Sequence, residues 1–299
     1  MLKFGPSFGI RWYGFSYLLA FFCGFLLLHW LAQRRYCALL PDKVGDFILL
    51  ASLGVVIGGR LGFVLFYRPG QMLVDPMFAF RVWDGGMSSH GGMIGLTLVT
   101  FLYARFQRLS WLSLADNIAV VASVGLFLGR CANFINGELY GRPATVPWAM
   151  QFPKEAIDLP EIGARVLAAA HAIRPDAGDL DAVLEQARSD TGLQTVLHQV
   201  LTPRHPSQLY EALLEGAFLF TTLWFLRLRT KQPRGMLAGL FLLLYAVVRI
   251  IVEYFREPDA PLTGPFTRGQ ALSFMLIAGG VCFVLYALKS RRHEAAQQA

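Results

Sequence analysis

Residues 235–255 read GMLAGLFLLLYAVVRIIVEYF, and their only charged members are Arg249 and Glu253. A helix needs about twenty apolar residues to cross the hydrocarbon core of a bilayer. Tyr245, Arg249 and Glu253 follow one another at i, i+4 and i+8, so such a helix carries a phenol, a guanidinium and a carboxylate on one face. Ionisable side chains inside a span are costly, and persist where they pair or function. The stretch reads as a transmembrane helix with a polar stripe. For this trio alone, an internal Arg–Glu pair that only fixes helix packing fits as well as a binding role.

Further runs of the same kind lie at 14–33, 46–67, 87–106, 114–134, 209–226 and 270–288. The run 114–134 is the weakest, being interrupted by Gly125, Gly129 and Arg130. The first run is too long, and too poor in a basic leader or a small-residue cleavage site, for a removable signal peptide. Composition agrees: 55% of residues are hydrophobic and 16% charged, against about 25% charged in soluble domains. Mean hydropathy is +0.46. Such a chain lacks the polar surface to cover a water-facing globule, so lipid is its solvent. The net charge of +7 does not point to nucleic acid, because the basic residues sit in short segments between the apolar runs. The cysteines Cys23, Cys37, Cys131 and Cys282 are scattered, with neither metal-site nor disulfide spacing, and read as packing residues.

Basic residues near the helix ends set the orientation. One set of connections carries Arg34, Arg35 and Lys43, then Arg105 and Arg108, then Arg227, Arg229, Lys231 and Arg234, then Lys289, Arg291 and Arg292. The other short connections carry only Lys3, Arg11, Arg68, Arg81, Arg256 and Arg268. The N-terminus is therefore expected outside and the C-terminus in the cytoplasm. The long connection 142–208 falls outside, with amphipathic helical spacing over 161–172 and 181–200 and neither a Gly-rich phosphate loop nor a ligand cluster. The expected architecture is an all-α integral membrane protein of about seven transmembrane helices. A membrane domain of 1–141 and 209–299 carries the small outer cap 142–208 between helices four and five.

With that orientation Arg60, Arg130, Arg249, Glu253, His90, Glu211 and Glu215 all fall toward the outer ends of their spans, an agreement that scattered structural salt bridges would not need. The segment GRCANFINGELYGR, 129–142, is the densest polar stretch. Arg130 and Asn133 share a helix face, Gly137 and Gly141 let the backbone leave the helix, and two Arg with two Asn at an interface suit a phosphate. An ordinary helix end with an interfacial turn is the plain alternative; Arg130 and Asn133 precede the turn, inside the apolar run, which favours the functional reading. His90 opens the third run in DGGMSSHGG, 84–92. A lone histidine there is more often an interfacial or capping residue than a catalyst, although a neutral imidazole is a natural proton acceptor. In RHPSQLYE, 204–211, Gln208 and Glu211 begin an i, i+3, i+7 stripe completed by Glu215, whose first role is to neutralise the arginines. Asp116 reads as a helix N-cap. Tyr13 reads as an aromatic-belt residue.

Together these pieces resemble the prolipoprotein diacylglyceryl transferases of bacteria. The matching residues are Arg11-Trp12-Tyr13-Gly14, the Trp83–Gly92 stretch with His90, the 129–142 motif, Arg204–Glu211, and Arg249-Ile250-Ile251-Val252-Glu253. They run from the first span to the sixth. Arg130-x-x-Asn133-Phe134-x-Asn136-Gly137-Glu138 is the most specific; Ala132 stands where the family usually has Gly, and the cap matches least. The resemblance implies transfer of the diacylglyceryl group of phosphatidylglycerol to the lipobox cysteine thiol of a preprolipoprotein signal peptide. No metal or organic cofactor is implied. It also implies a bacterial inner-membrane enzyme with a periplasmic cap; a monomer is the expectation for its assembly. On that reading His90, with Tyr13 beside it or in its place, takes the thiol proton. Arg130 and Arg249 hold the phosphate; Asn133, Asn136, Gly141 and Tyr245 fix the headgroup; Arg60, Asp116, Glu138, His205, Gln208, Glu211 and Glu253 support them.

The rival classes are an anion or lipid transporter and a membrane serine protease. The first needs polar residues through both leaflets, whereas the inner halves of the spans are nearly uncharged. The second needs a nucleophile, and no Gly-x-Ser-x-Gly elbow accompanies Ser88 and Ser89.

Overall fold

Lipid offers a peptide group no hydrogen-bond partner, so an apolar run must satisfy its N–H and C=O groups within its own helix. The computed structural model describes residues 2–3, 9–10, 12–258 and 265–298, and it obeys that constraint. It is helical apart from a two-residue pairing of Leu2–Lys3 with Gly9–Ile10 and isolated bridges of extended chain. Arg11, part of the first motif, lies outside the described residues.

Six described helices are long and apolar enough to cross a membrane: Trp12–Gln33, Pro41–Tyr67, Trp111–Ile135, Ser207–Arg229, Met236–Glu253 and Gly269–Arg291. The weak fourth run is a continuous helix despite Gly125 and Gly129. The run 87–106 is also a helix, Ser89–Phe106, but is not among the six. It starts later than expected because Ser88 caps it, its Oγ accepting from the Gly91 N–H at 3.2 Å, and His90, Gly91, Gly92 and Arg105 dilute its apolar character. Along Pro41–Tyr67, Leu53, Ile57, Leu61 and Leu65 recur every fourth residue and are all exposed, a stripe that suits a hydrocarbon solvent.

By its internal contacts the chain falls into two compact units. One comprises Tyr17–Gly125, Ala217–Tyr245 and Leu276–Ala299. Its core gathers Leu28, Val44, Phe47, Ala104 and Leu114, all without exposure. Here Gly54, Gly58 and Gly62 of the second helix meet Gly91 and Gly95 of Ser89–Phe106. A Cβ on Gly62 would stand 2.7 Å from the Gly91 Cα, and one on Gly91 would collide with the Gly58 carbonyl. The two backbones touch, as small-residue seams permit in membranes. Asp116 does not cap its own helix. It lies inside Trp111–Ile135, and its carboxylate accepts from the N–H groups of Gly235 and Ala238 at 2.8 and 2.9 Å, capping Met236–Glu253.

The other unit comprises Met1–Ser16, Leu126–Gly216 and Ala246–Met275. Within it, residues 155–201 form a small helical cluster with its own apolar core of Val166, Ala170, Ala177, Val183 and Leu193. The 161–172 periodicity becomes Pro160–Ile173. The 181–200 stretch breaks into Leu180–Gln186 and Thr191–Val200, because Asp190 Oδ1 accepts from the Gly192 and Leu193 N–H groups and starts a new helix. The long run 207–229 is not α-helical throughout. Ala212–Phe218 forms a π turn between Ser207–Glu211 and Leu219–Arg229, a wide turn often found at functional sites.

The glycine seam yields a direct test. Gly91→Ala should cost about 1–3 kcal/mol through overpacking and lower the thermal midpoint in detergent. Gly70→Ala, where a Cβ meets nothing within 4 Å, should leave the midpoint unchanged.

Candidate active site

Arginines and carboxylates carried by three helices meet in one network. The Trp111–Ile135 helix brings Arg130, Met236–Glu253 brings Arg249 and Glu253, and the span starting at Ser207 brings Glu211 and Glu215. Arg130 donates from Nε and one terminal nitrogen to Glu215 Oε2 at 3.1 and 2.9 Å, while its other terminal nitrogen lies 3.2 Å from Glu211 Oε2. Arg249 donates to Glu211 Oε1 and, at 3.3 Å, to Glu215 Oε1; its second terminal nitrogen lies 2.9 Å from Glu253 Oε2. Arg256 donates to Glu211 Oε1 at 2.8 Å. Among the described residues, three guanidinium groups thus balance three carboxylates.

Exposure within the network is one-sided. Glu211 and Glu215 have none, whereas the side chains of Arg130 and Arg249 keep 16% and 12%. Among the described residues, the surface that the network keeps therefore belongs mostly to its arginines, although its formal charges cancel. The π turn helps build this arrangement. It carries Glu215, and it seats Gly216 so close to Phe127 that a Cβ would stand 2.6 Å from the Phe127 Cβ.

A second chain of hydrogen bonds in the same unit centres on Glu138. Tyr13 donates its hydroxyl proton to Glu138 Oε2 at 2.8 Å, and the Asn133 amide donates to the Tyr13 oxygen. Lys154 meets Glu138 Oε1 at 2.9 Å. The Gln208 amide donates to the Glu138 carbonyl at 2.7 Å, and Ser207 Oγ to the Leu139 carbonyl at 3.0 Å. Asn136, half-buried, closes the helix end with its N–H on the Ala132 carbonyl at 3.0 Å.

The chain then turns through Gly137 and Leu139, both left-handed with φ of 68° and 58°. At Gly141 only hydrogen fits: a Cβ would stand 2.5 Å from the carbonyls of both His205 and Phe255. Arg204 clamps this region. It pairs with Glu155 at 2.8 Å and Glu257 at 2.9 Å, donates to the Gly141 carbonyl at 3.2 Å, and lies over the Tyr140 ring at 4.9 Å. Burial pushes the Tyr140 phenol up to about 12, so it remains a neutral donor to Asp158. His205 packs among Tyr210 and Phe255, its Nδ1 3.1 Å from the Tyr210 hydroxyl.

Of the sequence-predicted residues, Tyr13, Arg130, Asn133, Asn136, Glu138, Gly141, His205, Gln208, Glu211, Arg249 and Glu253 belong to this unit. His90, Arg60, Asp116 and Tyr245 belong to the other. There His90 is the second residue of Ser89–Phe106 and half-buried, and the Tyr245 ring stacks on Phe241 at 6.0 Å. Sequence reading placed Arg256 in a connection, yet it follows Arg249 and Glu253 at i+7 and i+3, a continuation of the stripe that could have revealed it. Lys154 and the Arg204–Glu155 pair carried no such signal.

Fold and site define a multi-pass helical membrane protein built on a buried arginine–glutamate network with a cationic accessible face. The chain belongs to the prolipoprotein diacylglyceryl transferase family, whose model matches residues 1–286. It is 38% identical to the phosphatidylglycerol–prolipoprotein diacylglyceryl transferase of Bdellovibrio bacteriovorus, over 95% of this chain and 91% of that one. The transferases so named from Serratia proteamaculans and an Escherichia coli O1:K1 strain are each 40% identical, over 98% and 97% of this chain and 94% and 92% of theirs.

The network predicts a ranking of variants. Removing one partner of a buried pair costs about 3–5 kcal/mol. Glu211→Gln leaves three arginines undercompensated and Glu253→Gln one, so thermal denaturation in detergent should show the larger loss for Glu211→Gln.

Proposed function

We propose that this protein transfers the diacylglyceryl group of phosphatidylglycerol to the lipobox cysteine thiol of a preprolipoprotein, releasing glycerol phosphate. The observation that carries this reading is the accessible cationic face made by Arg130 and Arg249 over fully buried glutamates. A guanidinium held from behind by carboxylates keeps its position while offering charge and a planar fork to a phosphate.

A free cysteine has a pKa of about 8.5, so the thiol needs a base at neutral pH. Tyr13 already gives its hydroxyl proton to Glu138, which favours His90 as that base and Tyr13 as a positioning group. The thiol sulfur attacks the glyceryl carbon bonded to the phosphate oxygen. The C–S bond forms as the C–O bond breaks, the thiol proton goes to His90, and the electron pair leaves with glycerol phosphate. Charge grows on the departing phosphate, where Arg130 and Arg249 bind it more strongly than in the ground state. Asn133, Asn136 and Tyr245 orient the headgroup, Gly141 leaves room for it, and Glu138, Gln208, Glu211 and Glu253 brace the donors.

The Ser89–Phe106 helix is taken as a seventh span, with the chain in the inner membrane as a monomer. The alternation of basic connections supports a periplasmic N-terminus and cap and a cytoplasmic C-terminus. A cysteine introduced at the exposed Asp176 should then react with a membrane-impermeant maleimide in intact spheroplasts. Reaction only after lysis would reverse the orientation.

Purified protein with phosphatidylglycerol and a lipobox peptide should release glycerol phosphate, and a serine-for-cysteine peptide should release none. Arg130→Lys keeps the charge but loses the fork and should cut turnover about a hundredfold. His90→Gln should abolish transfer and spare lipid binding. Near-normal rates in both variants would sink the mechanism, and phosphate-lipid flux across liposomes without transfer would favour a transporter.

A further inference from the structure

Arg60 is a buried cation, 2% exposed, that the mechanism leaves unused. Its partners are all main-chain carbonyls: Nε donates to Ala79 at 3.4 Å, one terminal nitrogen to Phe78 at 2.6 Å, and the other to Gly85 and, at 3.2 Å, Gly86. Four of its five N–H donors are thereby engaged. The group also lies 4.6 Å from the centre of the Phe78 ring and 5.8 Å from that of Phe63. With four of its five donors used and its surface covered, Arg60 is poorly placed to hold a substrate anion. It grips instead both ends of one loop, gathering 78–79 and 85–86 around a single planar fork.

What that loop does next matters. Gly85 and Gly86 have positive φ, 78° and 81°, and lead through Met87 into Ser88. The Ser88 N–H donates to the carbonyl of Gly59, the neighbour of Arg60, at 2.9 Å, while its side chain caps the helix that starts with Ser89 and His90. Residues 59 and 60 therefore hold the approach to His90 at five main-chain groups.

We propose that Arg60 is a positioning residue for His90, setting the first turn of the Ser89–Phe106 helix through the Phe78–Ser88 loop. This rests on the reading of His90 as the base. A lysine keeps the charge but cannot span four carbonyls from one nitrogen.

The test is Arg60→Lys in the full-length protein in phosphatidylglycerol nanodiscs, with the 15N ring resonances of His90 identified by their loss in His90→Gln. The expected result is a kcat lowered about tenfold or more, an unchanged KM for lipid, and displaced His90 resonances. Unchanged resonances with unchanged specific activity per folded molecule would overturn the proposal, because Arg60 would then serve stability alone. If Arg60→Lys does not fold, Ser88→Ala loosens the same turn by one bond and should give a smaller fall in kcat with the same displacement; no change in either overturns the proposal as well. A fully active His90→Gln enzyme would remove the base assignment, whereas displaced His90 resonances in Arg60→Lys would still support the positioning.

Discussion

Buried charge in a low-dielectric medium must be balanced locally, and this condition governs the unit that carries Arg130. Moving a guanidinium out of water costs several kcal/mol after relaxation, a cost offset only by close, well-directed anions. Glu211 supplies an anion to three arginines at once, with Glu215 and Glu253 completing the balance. The side chains facing the network are thus mutually constrained: moving one of these carboxylates leaves an arginine undercompensated. The same constraint explains the one-sided exposure, because carboxylates placed behind the arginines neutralise them without covering their outer face.

The surrounding chain is shaped to hold that network. The π turn adjusts the helix so that Glu215 faces Arg130 while Gly216 meets Phe127. Gly141 allows three strands of backbone to converge where any side chain would intrude. Arg204, locked to Glu155 and Glu257, ties the small helical cluster to the segment following Glu253. These are positional devices, and none is itself chemistry.

Much of this was readable from residues alone, for identifiable reasons. Long apolar runs specify helices because the bilayer gives the backbone no alternative, so the spans emerge from hydropathy. The Arg249–Glu253 stripe and the Gln208, Glu211, Glu215 stripe were visible because helical spacing fixes which side chains share a face. What escaped detection depends on contacts distant in sequence. Asp116 looked like a cap for its own helix and caps a segment 119 residues away. Lys154 finds Glu138 across an irregular loop, and the apolar run over 209–226 gave no sign of the π turn within it. Arg256 was overlooked because it lies just beyond the last helical residue.

The sequence separation within the network also bears on how the chain is made. Synthesis proceeds from the N-terminus, so Arg130 enters the bilayer long before Glu215, which follows it by 85 residues. An unaccompanied arginine at the middle of a span costs about 2.5–3.5 kcal/mol during insertion. Arg130 lies near the end of its helix, where a long aliphatic stem can keep the charge in the headgroup layer until its partners arrive. Among the described residues the last of them, Glu253 and Arg256, come with Met236–Glu253 and the turn just after it. Nascent chains shorter than this carry an unfinished charge cluster, and completion of the network is among the late events of biogenesis.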